Sequence, residues 1–211
     1  VVDEQGKVIF GDRLLILFAR AVLKEKPGAT IISEVKGSRT LYEDIAKHGG
    51  KPIMWKTGHS LIKAAMKEFK AELAGEMSGH MFFKHRWYGF DDAIYAGARL
   101  LELLAAGRKP LSKHLADVPE MYSTPELRVN TDETKKFEIV EKAKRYFRDE
   151  LKLNTNDIDG VRVEFPDGWG LVRASNTSPV IVMRCEAETP ERLNEIRKLI
   201  EGKVQELAKG S

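Results

Sequence analysis

Residues 30–80 read TIISEVKGSRTLYEDIAKHGGKPIMWKTGHSLIKAAMKEFKAELAGEMSGH, and the class of the fold is decided there. Thr30 to Val35 is a β-branched, apolar run; Ser38 caps a helical segment to His48, which Gly49 and Gly50 stop, and Lys51 to Trp55 is extended again. After Lys56-Thr57-Gly58-His59, Ser60 caps a helix to about Phe69 with Leu61, Ala65 and Phe69 on one side, and residues 71–75 make a third strand. Strand, helix, strand, helix, strand is the rhythm of an α/β domain, here with a mixed sheet sandwiched by helices. The third strand delivers Gly75-Glu76-Met77-Ser78-Gly79-His80 as its C-terminal loop. Open α/β sheets place ligands at such loops.

On the N-terminal side, Val1-Val2, a turn and Lys7 to Phe10 read as a hairpin whose first strand is cut short. With no initiator Met, this reads as a fragment, its first ten residues frayed or paired with another chain. Asp12 is expected to cap a helix running to about Lys26, which Pro27-Gly28 stops. On the C-terminal side, the loop is expected to continue through Phe82, Phe83, Trp87, Tyr88 and Phe90 until Asp91 caps a helix to Gly107. Pro110, Pro119 and Pro125 then mark a boundary, so residues 1–119 are read as one domain and 120–211 as another.

The second domain is predicted to be α+β. It opens with a strand around Met121 to Val129, followed by a capping box of Asn130 and Glu133 and a helix on Phe137, Val140, Ala143 and Phe147. Strands at 160–165, 170–174 and 180–186 and a helix from Thr189-Pro190 complete it, the sheet antiparallel with both helices on one face.

Bulk properties narrow the function. Thirty-five basic and 32 acidic residues give a net charge of +3 with no Lys/Arg block, which argues against nucleic acid as a partner. No apolar run approaches the roughly 20 residues that cross a bilayer, so no membrane span is expected. Cys185 is the single cysteine, which precludes an intrachain disulfide and makes a reducing cytoplasm the expected location.

Two polar clusters carry the chemistry. Glu76, Ser78 and His80 are spaced by two, so on an extended backbone they leave one face, while Gly75 and Gly79 let that face approach a ligand closely. The set suits a polyol, and a polar loop capping the next element fits it equally. Arg173-Ala174-Ser175-Asn176-Thr177-Ser178-Pro179 offers a guanidinium fork with Ser, Asn and Thr donors beside free loop amides, which makes an anion nest or an ordinary hydrophilic turn. Lys36 and His59 follow two other strand ends; if those strands are parallel they join His80 on one cationic, proton-capable rim. No metal-ligand spacing, nucleophile elbow or phosphate loop is present.

Lys56 to Ser60, Gly75 to His80, Arg86-Trp87-Tyr88-Gly89-Phe90-Asp91-Asp92 and Arg173 to Pro179, in this order and spacing, resemble the α-D-phosphohexomutases, in particular their bacterial phosphomannomutase/phosphoglucomutase branch. The resemblance runs over essentially the whole chain and implies the third and fourth of four domains, the fourth TATA-binding-protein-like. It implies that Glu76 and Ser78 bind sugar hydroxyls and that Arg173, Ser175, Asn176 and Thr177 hold the phosphate not being transferred. Lys36, His59 and His80 would line the reacting end in supporting catalytic roles.

The family reaction interconverts hexose 1- and 6-phosphates of glucose or mannose through a phosphoserine and a bisphosphosugar, with Mg2+ as cofactor. The phosphoserine and an Asp-Gly-Asp-Gly-Asp-Arg metal loop belong to the first two domains and are absent from this sequence. The expected partners are therefore hexose phosphates and the missing N-terminal domains, and the isolated chain is expected to be inactive. The alternative is a non-catalytic phosphosugar-binding module.

Overall fold

Ile31 and Ile32 are adjacent and both fully buried, Ile31 in a cluster with Leu15, Phe18 and Leu73, Ile32 in another with Ile62, Ala65 and Phe82. Side chains alternate across a strand, so both can be buried only where a sheet is covered on both faces. In the computed structural model, which describes residues 1–209, this strand is central. β1 (Thr30–Glu34) lies between β2 (Lys51–Trp55) and β3 (Leu73–Gly75), parallel to both. β4 (Met81–Phe83) closes the edge antiparallel to β3, so the order is β2-β1-β3-β4 and the sheet is mixed. α1 (Gly11–Glu25), α2 (Arg39–Lys47) and α4 (Ala93–Gly107) cover one face; α3 (His59–Glu68) covers the other.

The chain divides into two compact units, Val1–Pro119 and Glu120–Ser211. The second holds β5 (Tyr122–Ser123), β6 (Leu127–Asn130), α5 (Lys135–Arg145) running into a π-helical turn Tyr146–Glu150, β7 (Asn154–Asn156), β8 (Val161–Phe165), β9 (Gly168–Ala174), β10 (Val180–Ala187) and α6 (Pro190–Lys209). Its antiparallel order is β5-β10-β9-β8-β7, with β6 paired to Val180–Met183 of β10 and β5 to Glu186 and Ala187. Ile139, Ala143, Phe147, Ile196, Ile200 and Val204 from the two helices bury one sheet face against Val161, Val163, Val172, Ile181, Met183 and Cys185. On the other face Trp169 is fully buried, with the Arg162 guanidinium 3.8 Å from its ring centroid and Glu186 accepting its indole N–H at 2.8 Å.

Several local expectations are corrected. Asp12 lies inside α1, whose N-cap is Phe10; its carboxylate accepts instead from the amide of Ser38 at 3.1 Å. Gly58 (φ 133°), not Ser60, precedes α3, and Leu61 is exposed while Ile62, Ala65 and Met66 are buried. Phe82 and Phe83 belong to β4, a strand too short to show alternation within an aromatic stretch. Asp92 rather than Asp91 caps α4, accepting from Tyr95 N–H at 2.9 Å. Asn130 ends β6 and Thr134 precedes α5, with Asp132 taking the Thr134 amide and hydroxyl at 2.9 and 2.6 Å; Phe137 is 58% exposed. The first ten residues form a short hairpin closed by the bridge Val2–Val8 and the bond Ile9 N–H to Val1 C=O.

Candidate functional site

Because β1, β2 and β3 are parallel, their carboxyl ends open on one rim, and the side chains following them meet there. The rings of His59 and His80 lie with centroids 6.3 Å apart, both exposed. Glu76 is 4% exposed; its carboxylate accepts from the Gly58 amide at 3.3 Å and from the Ser78 hydroxyl at 3.4 Å. Lys36, 7% exposed, turns inward, its Nζ 3.4 Å from Oε2 of Glu34. The rim thus presents two imidazoles and a hydroxyl over a carboxylate already held in place, a set able to grip vicinal hydroxyls and to carry protons.

The hexapeptide keeps this shape by backbone bonds. Glu76 N–H donates to His80 C=O at 2.9 Å, Gly79 N–H to Glu76 C=O at 3.0 Å, and Gly79 adopts φ 105°, a conformation open to glycine. Gly11, at the start of α1, donates to Met77 C=O at 3.0 Å; a Cβ there would stand 2.2 Å from Glu76 O. Met77 N–H in turn donates to Glu34 Oε1 at 3.0 Å. Glu34 is fully buried, and burial pushes its carboxyl above the usual range, the Glu76 charge adding while Lys36 and the Thr57 hydroxyl pull the other way.

Asp91 completes the rim: its Oδ2 is 2.6 Å from Nδ1 of His80, and its Oδ1 accepts from Met81 N–H at 3.1 Å. An ionised carboxylate only accepts, so Nδ1 carries the proton and Nε2 is the nitrogen turned to other partners.

In the second unit, the connection between β9 and β10 gathers Arg173, Ser175, Asn176 and Thr177. Arg173 is 5% exposed; Asp159 accepts from its Nε at 2.9 Å, and its buried Nη2 has no hydrogen-bond partner. Ser175 accepts from Thr177 N–H at 3.3 Å, while Asn176 and Thr177 are exposed. An unspent guanidinium donor beside open polar side chains is the chemistry of an oxyanion site. Below the loop Lys136 is 1% exposed, and its ammonium donates to Ser175 C=O at 2.8 Å and Ser178 C=O at 3.3 Å and pairs with Glu133 at 2.5 Å.

Sequence reasoning missed Glu34, Asp91 in this role, Asp159, Gly11 and Lys136. A signal existed only for Asp91, whose adjacency to Asp92 offers one carboxylate more than a helix cap uses. Cys185 is wholly buried, its thiol pushed up to about 12 by desolvation, so it serves the core and not nucleophilic chemistry. Magnesium requires several oxygen ligands, and among the described residues no three His, Cys, Asp or Glu side chains form a group that could hold a metal ion. The residues present therefore do not fit that ion. No helix among the described residues is long and apolar enough to cross a membrane.

Residues 10–122 match the family model described as phosphoglucomutase/phosphomannomutase, alpha/beta/alpha domain III, and residues 126–203 match that family's C-terminal domain. The chain is 51% identical over 209 residues to the phosphomannomutase/phosphoglucomutase of Pseudomonas syringae pv. tomato, covering 99% of this chain and 44% of that protein. It is also 51% identical over 200 residues to the phosphoglucomutase of Neisseria gonorrhoeae, covering 93% of this chain and 43% of that protein. The crystal structure of a phosphoglucomutase/phosphomannomutase family protein from Burkholderia thailandensis superposes with a TM-score of 0.88 at 45% identity, over all of this chain and 44% of that one. The chain thus spans less than half the length of the curated relatives it matches.

Proposed function

The chain belongs to the phosphoglucomutase/phosphomannomutase family, and on that premise we propose that it supplies the sugar-hydroxyl and distal-phosphate binding of an enzyme interconverting hexose 1- and 6-phosphates. The observation that carries the reading is Glu76, a buried carboxylate fixed by Gly58 N–H and the Ser78 hydroxyl, on the same strand-end rim as two exposed imidazoles. A carboxylate so oriented accepts from adjacent sugar hydroxyls without reorganising.

In this reading Glu76 and Ser78 recognise hydroxyls, while His80, held by Asp91, works beside His59 and Lys36 at the reacting end. Arg173, Ser175, Asn176 and Thr177 take the phosphate that stays in place, the orphaned Nη2 of Arg173 finding its partner there. The fourth-domain resemblance to TATA-binding-protein-like folds draws support from the antiparallel sheet with both helices on one face. Glucose and mannose phosphates are the substrates in view, the phosphoserine donor and Mg2+ are supplied outside this sequence, and the cytoplasm is the setting.

The chain on its own, lacking the phosphoserine and metal-loop motifs, acts as a phosphosugar-binding module without turnover. Calorimetric titration with glucose 6-phosphate tests this. The reading expects saturable binding that Glu76→Ala and Arg173→Ala each weaken by about tenfold or more. Unchanged affinity in both variants would sink it.

A further inference from the structure

Glu34 plays no part in the readings above, yet it stands where the rim is assembled. It ends β1, is fully buried, and reaches two of the loops that carry functional side chains. One carboxyl oxygen accepts from Met77 N–H at 3.0 Å, between Glu76 and Ser78; the other lies 3.4 Å from the ammonium of Lys36. The same peptide region is clamped from the opposite side, since Met77 C=O accepts from Gly11 N–H. Ser33, the preceding residue, donates its hydroxyl to Gly75 C=O at 2.8 Å. The end of β1 therefore dictates the path of the hexapeptide at its first and third residues. A wholly buried side chain cannot touch a sugar, and a buried carboxyl is costly unless its contacts are needed.

We propose that Glu34 is a positioning residue, which fixes the Gly75–His80 loop through the Met77 amide and pairs with the inward-turned Lys36, so that Glu76 and Ser78 meet the ligand preorganised. The effect on ligand rests on the phosphosugar reading; the effect on the loop does not. Glu34 is the shared anchor of two strand-end loops, and Glu76, through Gly58, carries the tie on to the third loop, where His59 starts α3. Losing Glu34 loosens the loop without removing any group that contacts a ligand.

The test compares wild-type chain with Glu34→Leu, Glu34→Gln and Glu34→Asp in two measurements: amide hydrogen exchange at Met77 and Gly79, and the affinity for glucose 1-phosphate. Leucine fills the volume but removes the contacts to Met77, Lys36 and the Thr57 hydroxyl. Glutamine keeps an acceptor for Met77 and loses the charge facing Lys36, and aspartate keeps the charge.

Positioning predicts that Glu34→Leu speeds exchange at Met77 by about tenfold or more, while amides of β10 in the other unit are unmoved, and weakens binding about tenfold. Aspartate recovers part of the affinity, which a loss of packing alone would not explain. Should the leucine variant fail to fold, Glu34→Gln carries the comparison, with Met77 protected and binding still weakened. Wild-type binding with unchanged affinity in Leu and Gln variants, or unchanged Met77 exchange in Leu, overturns the proposal. If the wild type binds no phosphosugar, the functional reading fails, and Met77 exchange alone decides the role of Glu34.

Discussion

Replacing Lys136 by methionine isolates how the Arg173–Ser178 loop is held. The ammonium has three donors, and three acceptors surround it: Ser175 C=O at 2.8 Å, Ser178 C=O at 3.3 Å and the Glu133 carboxylate at 2.5 Å. All three donors are engaged, so Lys136 builds the loop and offers nothing to a phosphate. Methionine preserves most of the buried stem and removes the bonds. Charge-assisted hydrogen bonds contribute about 1.5–3 kcal/mol each, the 3.3 Å bond near the bottom of that range, and relief of the buried charge offsets part of the loss. Glu133 is 64% exposed and adds little to the sum.

The net expectation is a loss of about 2 kcal/mol in the second unit, or roughly 10 °C in its melting midpoint for a domain of this size. Denaturant unfolding followed through the fluorescence of Trp169 reads it out, with Glu133→Ala as a control expected to move stability by less than about 0.5 kcal/mol. If Lys136→Met costs less than that as well, the loop is not held by Lys136 and the account of the phosphate nest is wrong.

Other perturbations probe the first unit. Gly11→Ala would place a methyl 2.2 Å from Glu76 O and 2.7 Å from Gly79 N, so the hexapeptide must shift; a destabilisation of about 1–3 kcal/mol in denaturant melts is expected, and none would mean the contact is soft. Asp91→Ala should abolish the Nδ1–H signature of His80 in nitrogen-15 spectra while leaving His59 unchanged; an unaltered tautomer would show that Asp91 does not set it.

Glu34 makes a pH-dependent contribution. Its folded carboxyl lies above the ordinary value of 4.5 because it is buried, so the native state binds that proton more tightly than the unfolded chain. The contribution is present at low pH and fades as pH rises through the raised value. Wild type should therefore lose stability relative to Glu34→Gln as pH climbs from 4.5, and a difference moving the other way in urea melts would reverse the assignment.

What could be read in the sequence was whatever depends on neighbours along the chain. The β-branched runs at 30–35 and 51–55, the stop at Gly49 with its φ of 79°, and the Ser38 cap, whose hydroxyl accepts from Thr40 N–H, are all local. Residues 75–80 were legible as a polar loop at a strand end, but the one-face reading of their spacing of two needed an extended backbone, and the chain turns there: Gly79 N–H bonds Glu76 C=O, with Glu76 buried and Ser78 and His80 exposed. β7 was not legible: Asn154 and Asn156 have low strand propensity and Thr155 alone makes no run, so pairing with β8 imposes the conformation. Asp12, Ser60 and Asn130 looked like helix caps, yet capping is one use among several for such side chains: Asp12 binds the Ser38 amide, Asn130 pairs with Val180 in the sheet, and Gly58 precedes α3 in place of Ser60. Lys136 and Glu34 were not legible, since the backbone groups that they hold, Ser175 C=O and Met77 N–H, lie 39 and 43 residues away. Their importance exists only after folding has joined those segments.

The central claim is that two loops of this chain read a phosphosugar, and it is tested most directly by a residue-resolved titration. Nitrogen-15-labelled chain is titrated with glucose 1-phosphate to about 10 mM, enough to saturate a site of millimolar affinity. The account predicts saturable amide shifts concentrated at Gly75 to His80 and at Arg173 to Ser178. Shifts absent from both loops, or clustered elsewhere on the surface, would contradict it.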